Sequence, residues 1–124
     1  MASNIHILQH GDINAEGNLT SASAPETVLV MCQADWCGHC QRAKPHFQAA
    51  ADKHTSSNLA FATLNCSGER GGATKEESAA AQIAQQAHSI RGFPTYLVFK
   101  NGIGQVIDVG DRTLRSIEAA LQGI

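Results

Sequence analysis

The chain has 124 residues and a formal net charge of −2, and 43% of its residues are hydrophobic. This length suits a single domain over 1–124, with an N-terminal strand and loop (1–27) and a core that carries the functional site (28–124). The small net charge, with no block of like charges, argues against nucleic acid or an acidic membrane surface as a partner. No apolar run is long enough to span a bilayer.

The first residues have no basic segment followed by an apolar stretch, so we expect no secretory signal. We therefore expect a cytoplasmic monomer. An oxidising compartment such as the endoplasmic reticulum is the alternative if the chain is a processed form.

Hydrophobic periodicity and turn residues predict alternating strands and helices. The predicted elements, in chain order, are a strand at 5–8, a polar loop with a short helical turn at 11–24, a buried strand at 28–32, a helix at 38–54 kinked by Pro45, a strand at 58–65, a polar mobile loop at 67–74, a helix at 75–89, a strand at 95–100, a tight turn at Asn101–Gly102, a strand at 104–109 and a helix at 113–122.

This order contains one strand–helix–strand unit and one hairpin. The first implies a parallel strand pair with a right-handed crossover, and the second adds antiparallel strands. The sequence therefore predicts an α/β fold with three α/β/α layers and a mixed central sheet.

The four cysteines comprise a close pair, Cys37 and Cys40, and two single residues, Cys32 and Cys66. Such a pattern is not a disulfide framework, and it suggests chemistry at the pair and packing at the single residues. Cys32 lies in a predicted buried strand and is expected to be inert. For Cys66 we favour a buried small apolar side chain, with an accessory thiol as the alternative.

Cys37 follows a buried strand and stands at the head of a predicted helix, where backbone N–H groups and the helix dipole favour a thiolate. This thiolate would attack a substrate disulfide, and Cys40 would then resolve the mixed disulfide. Gly38 lets the backbone turn with little hindrance. The imidazole of His39 would stabilise the thiolate and make the disulfide more oxidising.

Other interpretations of the pair exist. A single Cys-x-x-Cys is also half of a zinc site, although here it would have to recruit Cys66, Cys32 or a distant histidine. His39 could be a solvent-exposed spacer without a tuning role. His46, His54 and His88 lie on predicted helices and are expected to be surface or packing residues.

Four stretches in the same order resemble the thioredoxin superfamily, and protein disulfide isomerase catalytic domains in particular. They are Ala-Asp-Trp-Cys-Gly-His-Cys at 34–40, Pro45, Arg-Gly-Phe-Pro-Thr at 91–95 and Phe-Lys-Asn-Gly at 99–102. The resemblance implies a thioredoxin fold and a thiol–disulfide oxidoreductase that oxidises, reduces or isomerises the disulfides of proteins or peptides. It implies no metal and no organic cofactor. A binding or chaperone module with the same fold is the alternative function.

The resemblance also implies roles for individual residues. Pro94 would form a cis peptide facing the cysteine pair, and the backbone of Phe93 would hydrogen-bond an extended substrate. Trp36 would shield the disulfide and contact substrates. Arg112 would approach the second cysteine and lower its pKa. The alternatives are an ordinary trans proline at a strand start, a packing role for the tryptophan and a solvated arginine at a helix start.

The chain departs from the family pattern at two positions. Met31 stands where relatives usually carry a buried acid, and Thr63 stands where they often place a lysine near it. The absence of both the acid and the lysine is physically consistent, because either one alone would be a buried charge without a partner. We therefore expect Cys40 to lack an internal proton relay and to resolve mixed disulfides slowly.

Overall fold

The computed structural model describes residues 4–21 and 23–124, so positions 1–3 and 22 of the predicted N-terminal segment lie outside the described residues. The elements, in chain order, are β1 (Ile5–Ile7), β2 (Thr27–Gln33), α1 (Gly38–His54), β3 (Leu59–Asn65), a one-turn 3-10 helix (Glu69–Gly71), α2 (Lys75–Ala87), β4 (Thr95–Lys100), β5 (Ile103–Ile107) and α3 (Leu114–Gln122).

The strands form one mixed sheet in the order β1-β3-β2-β4-β5. β3 runs parallel to both β1 and β2, whereas β4 runs antiparallel to both β2 and β5. The parallel pair and the hairpin predicted from the sequence are thereby confirmed. Because β2 is the central strand, the residues that follow it lie midway across the sheet, at the end where β2 terminates.

The helices cover both faces of the sheet. α2 packs through Ala80 and Ala84 on a core that includes Val30, Leu97 and Phe99. On the other face, α1 and α3 pack on a second core around Leu29, Phe47, Phe61, Val98 and Ile117. The unbroken apolar run of β2 is needed because its side chains enter both cores. The predicted three-layer arrangement is therefore confirmed.

Side-chain caps define where two of the helices begin. The Thr74 hydroxyl accepts from the N–H of Glu77, whose carboxylate accepts from the N–H of Thr74, so α2 starts with a capping box. Thr113 caps α3 through the N–H of Ser116. α1 is unbroken from Gly38 to His54 and contains Pro45.

Two loops differ from the prediction. Between positions 11 and 24 the described residues form an antiparallel bridge between Ile13 and Leu19 in place of a helical turn. Ile13 is buried in the core beneath α2, so apolar anchoring outweighs the turn-forming residues around it. The loop over 67–74 contains the 3-10 helix.

Asn101 and Gly102 form the predicted hairpin turn. Both residues have the positive φ (52° and 85°) that a tight turn of this kind requires.

Gly104 supplies the first testable prediction. A Cβ at this position would lie 2.5 Å from Cε2 of Phe99, a ring with 0% exposure. Because this buried ring cannot move without repacking, Gly104→Ala should lower the free energy of unfolding by about 1–3 kcal/mol. Chemical denaturation measures the change. The exposed neighbour Gln105→Ala is the control, and equal stability of the two variants would contradict this packing.

Candidate redox site

The loop between β2 and α1 is held in place by hydrogen bonds at each residue. The N–H of Cys37 donates to the Ala34 carbonyl at 3.1 Å, and the N–H of Asp35 donates to the Ser67 hydroxyl at 2.8 Å. The Trp36 indole donates to the Ser67 carbonyl at 3.2 Å. This loop therefore presents Cys37 at the start of α1 with little freedom.

Cys37 is the N-cap of α1, and its sulfur accepts from the N–H of Cys40 at 3.2 Å. Burial raises the pKa of the Cys37 thiol, but the lowering contributions prevail and leave it below its ordinary value. They come from the Cys40 thiol, from the backbone N–H groups of Cys40 and His39, and from the charge of Arg112. The sequence-predicted thiolate at a helix start therefore has a geometric basis.

Cys40 has the opposite character. Its side chain is completely buried, and burial together with its hydrogen bond to Cys37 raises its pKa to about 11. The Ala34 backbone and the charge of Lys44 partly oppose this rise. Two adjacent thiols thus differ in acidity, which is the asymmetry that an attacking and a resolving thiol require.

The two spacer residues, Gly38 and His39, are exposed at the start of α1. The contribution of His39 to the acidity of Cys37 comes from its backbone N–H. The imidazole is exposed, and its Nδ1 lies 2.8 Å from Nη2 of Arg42. Because a guanidinium can only donate, Nδ1 accepts in this contact. Gly38 is exposed, as expected for an unhindered turn into the helix.

The Phe93–Pro94 peptide is cis, as the resemblance implies, and it lies across from the cysteine pair. The Cys37 thiol donates to the Phe93 carbonyl at 3.6 Å. The Phe93 ring meets Trp36 edge to face with the ring centroids 5.8 Å apart, and 64% of Trp36 is exposed. These residues form an apolar rim beside the buried Cys37 sulfur.

Arg112 acts on the site through its charge. This charge lowers the pKa of Cys37 and also acts on Tyr96, and the expected effect on the second cysteine stays a prediction. Arg112 sits in the loop before α3 with a positive φ of 68° and reaches the site from the side of β4 and β5. The cation whose charge reaches Cys40 is Lys44, on α1.

Met31 and Thr63 are direct partners in the register between β2 and β3. They line a cleft of about 480 Å³ beside α1. Met31 is 1% exposed, and the buried Oε1 atom of Gln33, which also lines the cleft, has no hydrogen-bond partner within the described residues. The two positions at which the resemblance implied a charged pair therefore lie together, and neither carries a charge.

All four cysteines are free thiols. Cys32 is completely buried, and burial raises its pKa well above the ordinary value, in line with an inert role. Cys66 is partly exposed, so it is less buried than expected, yet burial raises its pKa to about 12. The N–H of Cys66 donates to the Gln33 carbonyl at 2.7 Å. Neither residue has the acidity of Cys37.

Within the part of the chain that the structure describes, no three His, Cys, Asp or Glu side chains are grouped so that they could hold a metal ion. The helix histidines contact protein groups. His46 accepts from the N–H of Leu114, His54 lies 2.7 Å from Glu118, and His88 donates to the Gly17 carbonyl. No helix of residues 4–21 and 23–124 is both long and apolar enough to cross a membrane.

Sequence reasoning missed two contributors to the site. Ser67 joins the Cys37 loop to the segment after β3, and no short motif signals such a contact across 32 positions. Lys44 follows Cys40 by four residues on a predicted helix, a spacing that places the two side chains on one face. That spacing could have identified it.

An acidic thiol at the start of a helix, a buried thiol one turn on and a cis proline opposite, on a mixed sheet between helices, define a dithiol protein of thioredoxin type. The Thioredoxin family model matches residues 14–123, and the chain belongs to this family.

Known relatives include disulfide isomerases. The chain is 30% identical over 112 residues to a Drosophila melanogaster thioredoxin domain-containing protein 5 homolog, covering 89% of the chain and 24% of that protein. It is 37% identical over 78 residues to Bos taurus protein disulfide-isomerase A5, covering 61% of the chain and 13% of that protein. A crystal structure of human ERp44 matches with a TM-score of 0.69 and 24% identity, over 99% of the chain and 30% of that chain. The chain thus spans less than a third of the length of each of these proteins.

Arg112 provides a test of the acidity of Cys37. The reactivity of Cys37 is lost as pH falls through its pKa, because the thiolate becomes protonated. Arg112→Met removes a stabilising charge worth about 0.5–1 kcal/mol at such a site, so the loss should move to higher pH and alkylation below the pKa should slow about two- to fivefold. The rate of iodoacetamide labelling of Cys37 against pH measures this.

The matched control is Arg115→Met, which removes an exposed charge on α3. If both variants keep the profile of the parent chain, Arg112 has no electrostatic role at Cys37.

Proposed function

We propose that this chain is a thiol–disulfide oxidoreductase with the activity of a protein disulfide isomerase domain, acting on the thiols and disulfides of proteins or peptides. The observation that carries the proposal is the Cys37 sulfur at the start of α1, which accepts from the N–H of Cys40 at 3.2 Å. Membership in the thioredoxin family and similarity to disulfide isomerases support it.

The reaction has two exchange steps. The Cys37 thiolate attacks one sulfur of a substrate disulfide, forms a mixed disulfide and releases the other sulfur as a thiolate, which takes up a proton. Cys40 then loses its proton, attacks the Cys37 sulfur and releases the second substrate thiol. The substrate is reduced and the pair becomes a disulfide. The reverse sequence oxidises a substrate dithiol.

Substrate binding is assigned to the apolar rim of Trp36, Phe93 and Pro94. An extended segment laid along the Phe93 backbone would hydrogen-bond it as an added strand and bring its disulfide to Cys37. The exposed indole of Trp36 would contact the apolar side chains of such a segment.

Gly38, His39 and Arg112 are proposed to set the redox potential. By stabilising the Cys37 thiolate, His39 and Arg112 favour the dithiol and make the disulfide a stronger oxidant, while Gly38 lets the backbone turn into the helix. We expect a potential nearer the roughly −180 mV of protein disulfide isomerase than the roughly −270 mV of thioredoxin. Such a potential suits an oxidising compartment, while in a reducing one the chain would act as a reductase.

Two substitutions of His39 separate the contributions of its backbone and its side chain. His39→Pro removes both the imidazole and the N–H that donates to Cys37, whereas His39→Ala removes only the imidazole. Equilibration with glutathione should give a more reducing potential for the proline variant and a smaller shift for the alanine variant. A larger shift in potential for the alanine variant would instead assign the effect to the imidazole. A potential of the parent chain near that of thioredoxin would contradict the expected redox potential.

Trapping tests the proposed function itself. In Cys40→Ala the mixed disulfide on Cys37 cannot be resolved, so substrate proteins should remain attached and be released by a reductant for mass spectrometry. The double variant with Cys37→Ser and Cys40→Ser is the control for non-covalent binding. Function retained by the double variant would favour a binding or chaperone module, and zinc bound to the reduced parent protein would favour a metal site.

A further inference from the structure

Cys40 must ionise before it can resolve a mixed disulfide, and the structure holds no buried acid to receive its proton at position 31. The cleft beside Met31 and Thr63 is also lined by Lys44 from α1 and by Asp35 from the loop before it. Lys44 lies one helical turn beyond Cys40 on the same helix face.

The ionisable groups around Cys40 come from several elements. Those that interact with it electrostatically are Cys37 and Lys44 from the start of α1, Cys32 from β2, Cys66 from the segment after β3 and Tyr96 from β4. Burial raises the pKa of Cys32, Cys66 and Tyr96, so these three are uncharged near neutral pH. Cys37 loses its charge once it is in a mixed disulfide. Lys44 is then the charged group with a direct effect on Cys40, while the charge of Arg112 acts on the neighbouring Cys37 and Tyr96.

Lys44 has an ionic partner that holds it over the cleft. Its Nζ lies 3.2 Å from Oδ1 of Asp35, and the two side chains are 42% and 53% exposed. The Asp35 backbone is fixed in turn by Ser67 and by the Gln41 amide, which donates to its carbonyl at 2.6 Å. Solvent screens this exposed pair, and the charge of Lys44 lowers the pKa of Cys40 by less than burial raises it.

Resting on the proposed function, we infer that Lys44 is a positioning residue for the resolving step: its ammonium, held by Asp35 beside the cleft, stabilises the Cys40 thiolate in place of a buried proton acceptor. The Cys40 proton leaves to solvent. Asp35 holds the lysine and does not take up the proton.

The test uses stopped-flow reaction of the reduced chain with 5,5′-dithiobis(2-nitrobenzoate), which is both substrate and oxidant. In the first phase, Cys37 attacks the aromatic disulfide, forms a mixed disulfide and releases one coloured thiolate. In the second phase, Cys40 attacks the Cys37 sulfur, forms the intramolecular disulfide and releases the second thiolate. The two phases report the two thiols separately.

Lys44→Met should slow the second phase about three- to tenfold at neutral pH, because the ionised fraction of a thiol falls tenfold for each unit of rise in its pKa. The first phase should stay within twofold of the parent rate, since the cation acting on Cys37 is Arg112. The rates of the variant and the parent should converge at high pH, where Cys40 is ionised in both.

Three further variants test the role of Lys44. Lys44→Arg keeps the charge and should restore the second phase. Lys53→Met removes a lysine of the same helix that pairs with Glu118 far from the site, and should change neither phase. Asp35→Asn removes both the ionic anchor and the counter-charge of Lys44. These two effects oppose each other, so the second phase should stay within about twofold of the parent rate.

The outcomes separate the inference from the proposed function. An unchanged second phase in Lys44→Met, or an equal slowing in Lys53→Met, overturns the role of Lys44. A slowing in Asp35→Asn that matches Lys44→Met overturns it as well, by making the carboxylate the proton acceptor. Absence of both phases in the parent chain would instead reject the proposed function. An unchanged first phase in the variants shows that they remain folded.

Discussion

The site depends on the contact between the Cys37 sulfur and the backbone N–H of Cys40. This contact makes the cysteine the cap of α1, so that unpaired N–H groups of the first helical turn point at the sulfur. A thiolate there gains hydrogen bonds and the positive end of the helix dipole without a buried cation. The central position of β2 in the sheet, together with the Ser67 contacts, holds the loop that delivers the sulfur to this point.

The same helical turn makes the two thiols unlike. Cys37 lies at the rim, where N–H groups favour its charge, and Cys40 lies one turn on, where it is enclosed by Ala34, Phe93 and the helix itself. Enclosure penalises a charge that has no compensating donors. A substrate therefore meets the acidic sulfur first, and the second sulfur stays protected until an intramolecular attack requires it.

The uncharged pair of Met31 and Thr63 affects which groups line the cleft beside α1. Two strands in direct register carry a thioether and a hydroxyl at positions 31 and 63, so no unpaired charge is buried there. The cleft beside α1 therefore has no carboxylate at position 31 or 63, and its acidic side chain is the exposed Asp35. Lys44, at the surface of the same cleft, acts through a field that solvent partly screens. When the pKa of a resolving thiol depends on a surface charge, its rate of attack responds more to pH and salt than when the controlling group is buried in the core.

Local sequence was sufficient for the strands, helices and layers, because hydrophobic periodicity, caps and the Asn101–Gly102 turn act over a few residues. α1 and β4 match their predicted bounds, and the thioredoxin-type fold followed from the order of motifs. The pair Cys37 and Cys40 was also readable, since its chemistry depends on spacing at a helix start.

The tertiary structure decided which charges and side chains reach that pair. It placed Arg112 near Cys37 and Lys44 near Cys40, and it turned the imidazole of His39 toward Arg42. It also replaced a predicted helical turn with the Ile13 bridge. Electrostatic effects depend on distance and burial between residues far apart in the chain, and no local pattern encodes either quantity.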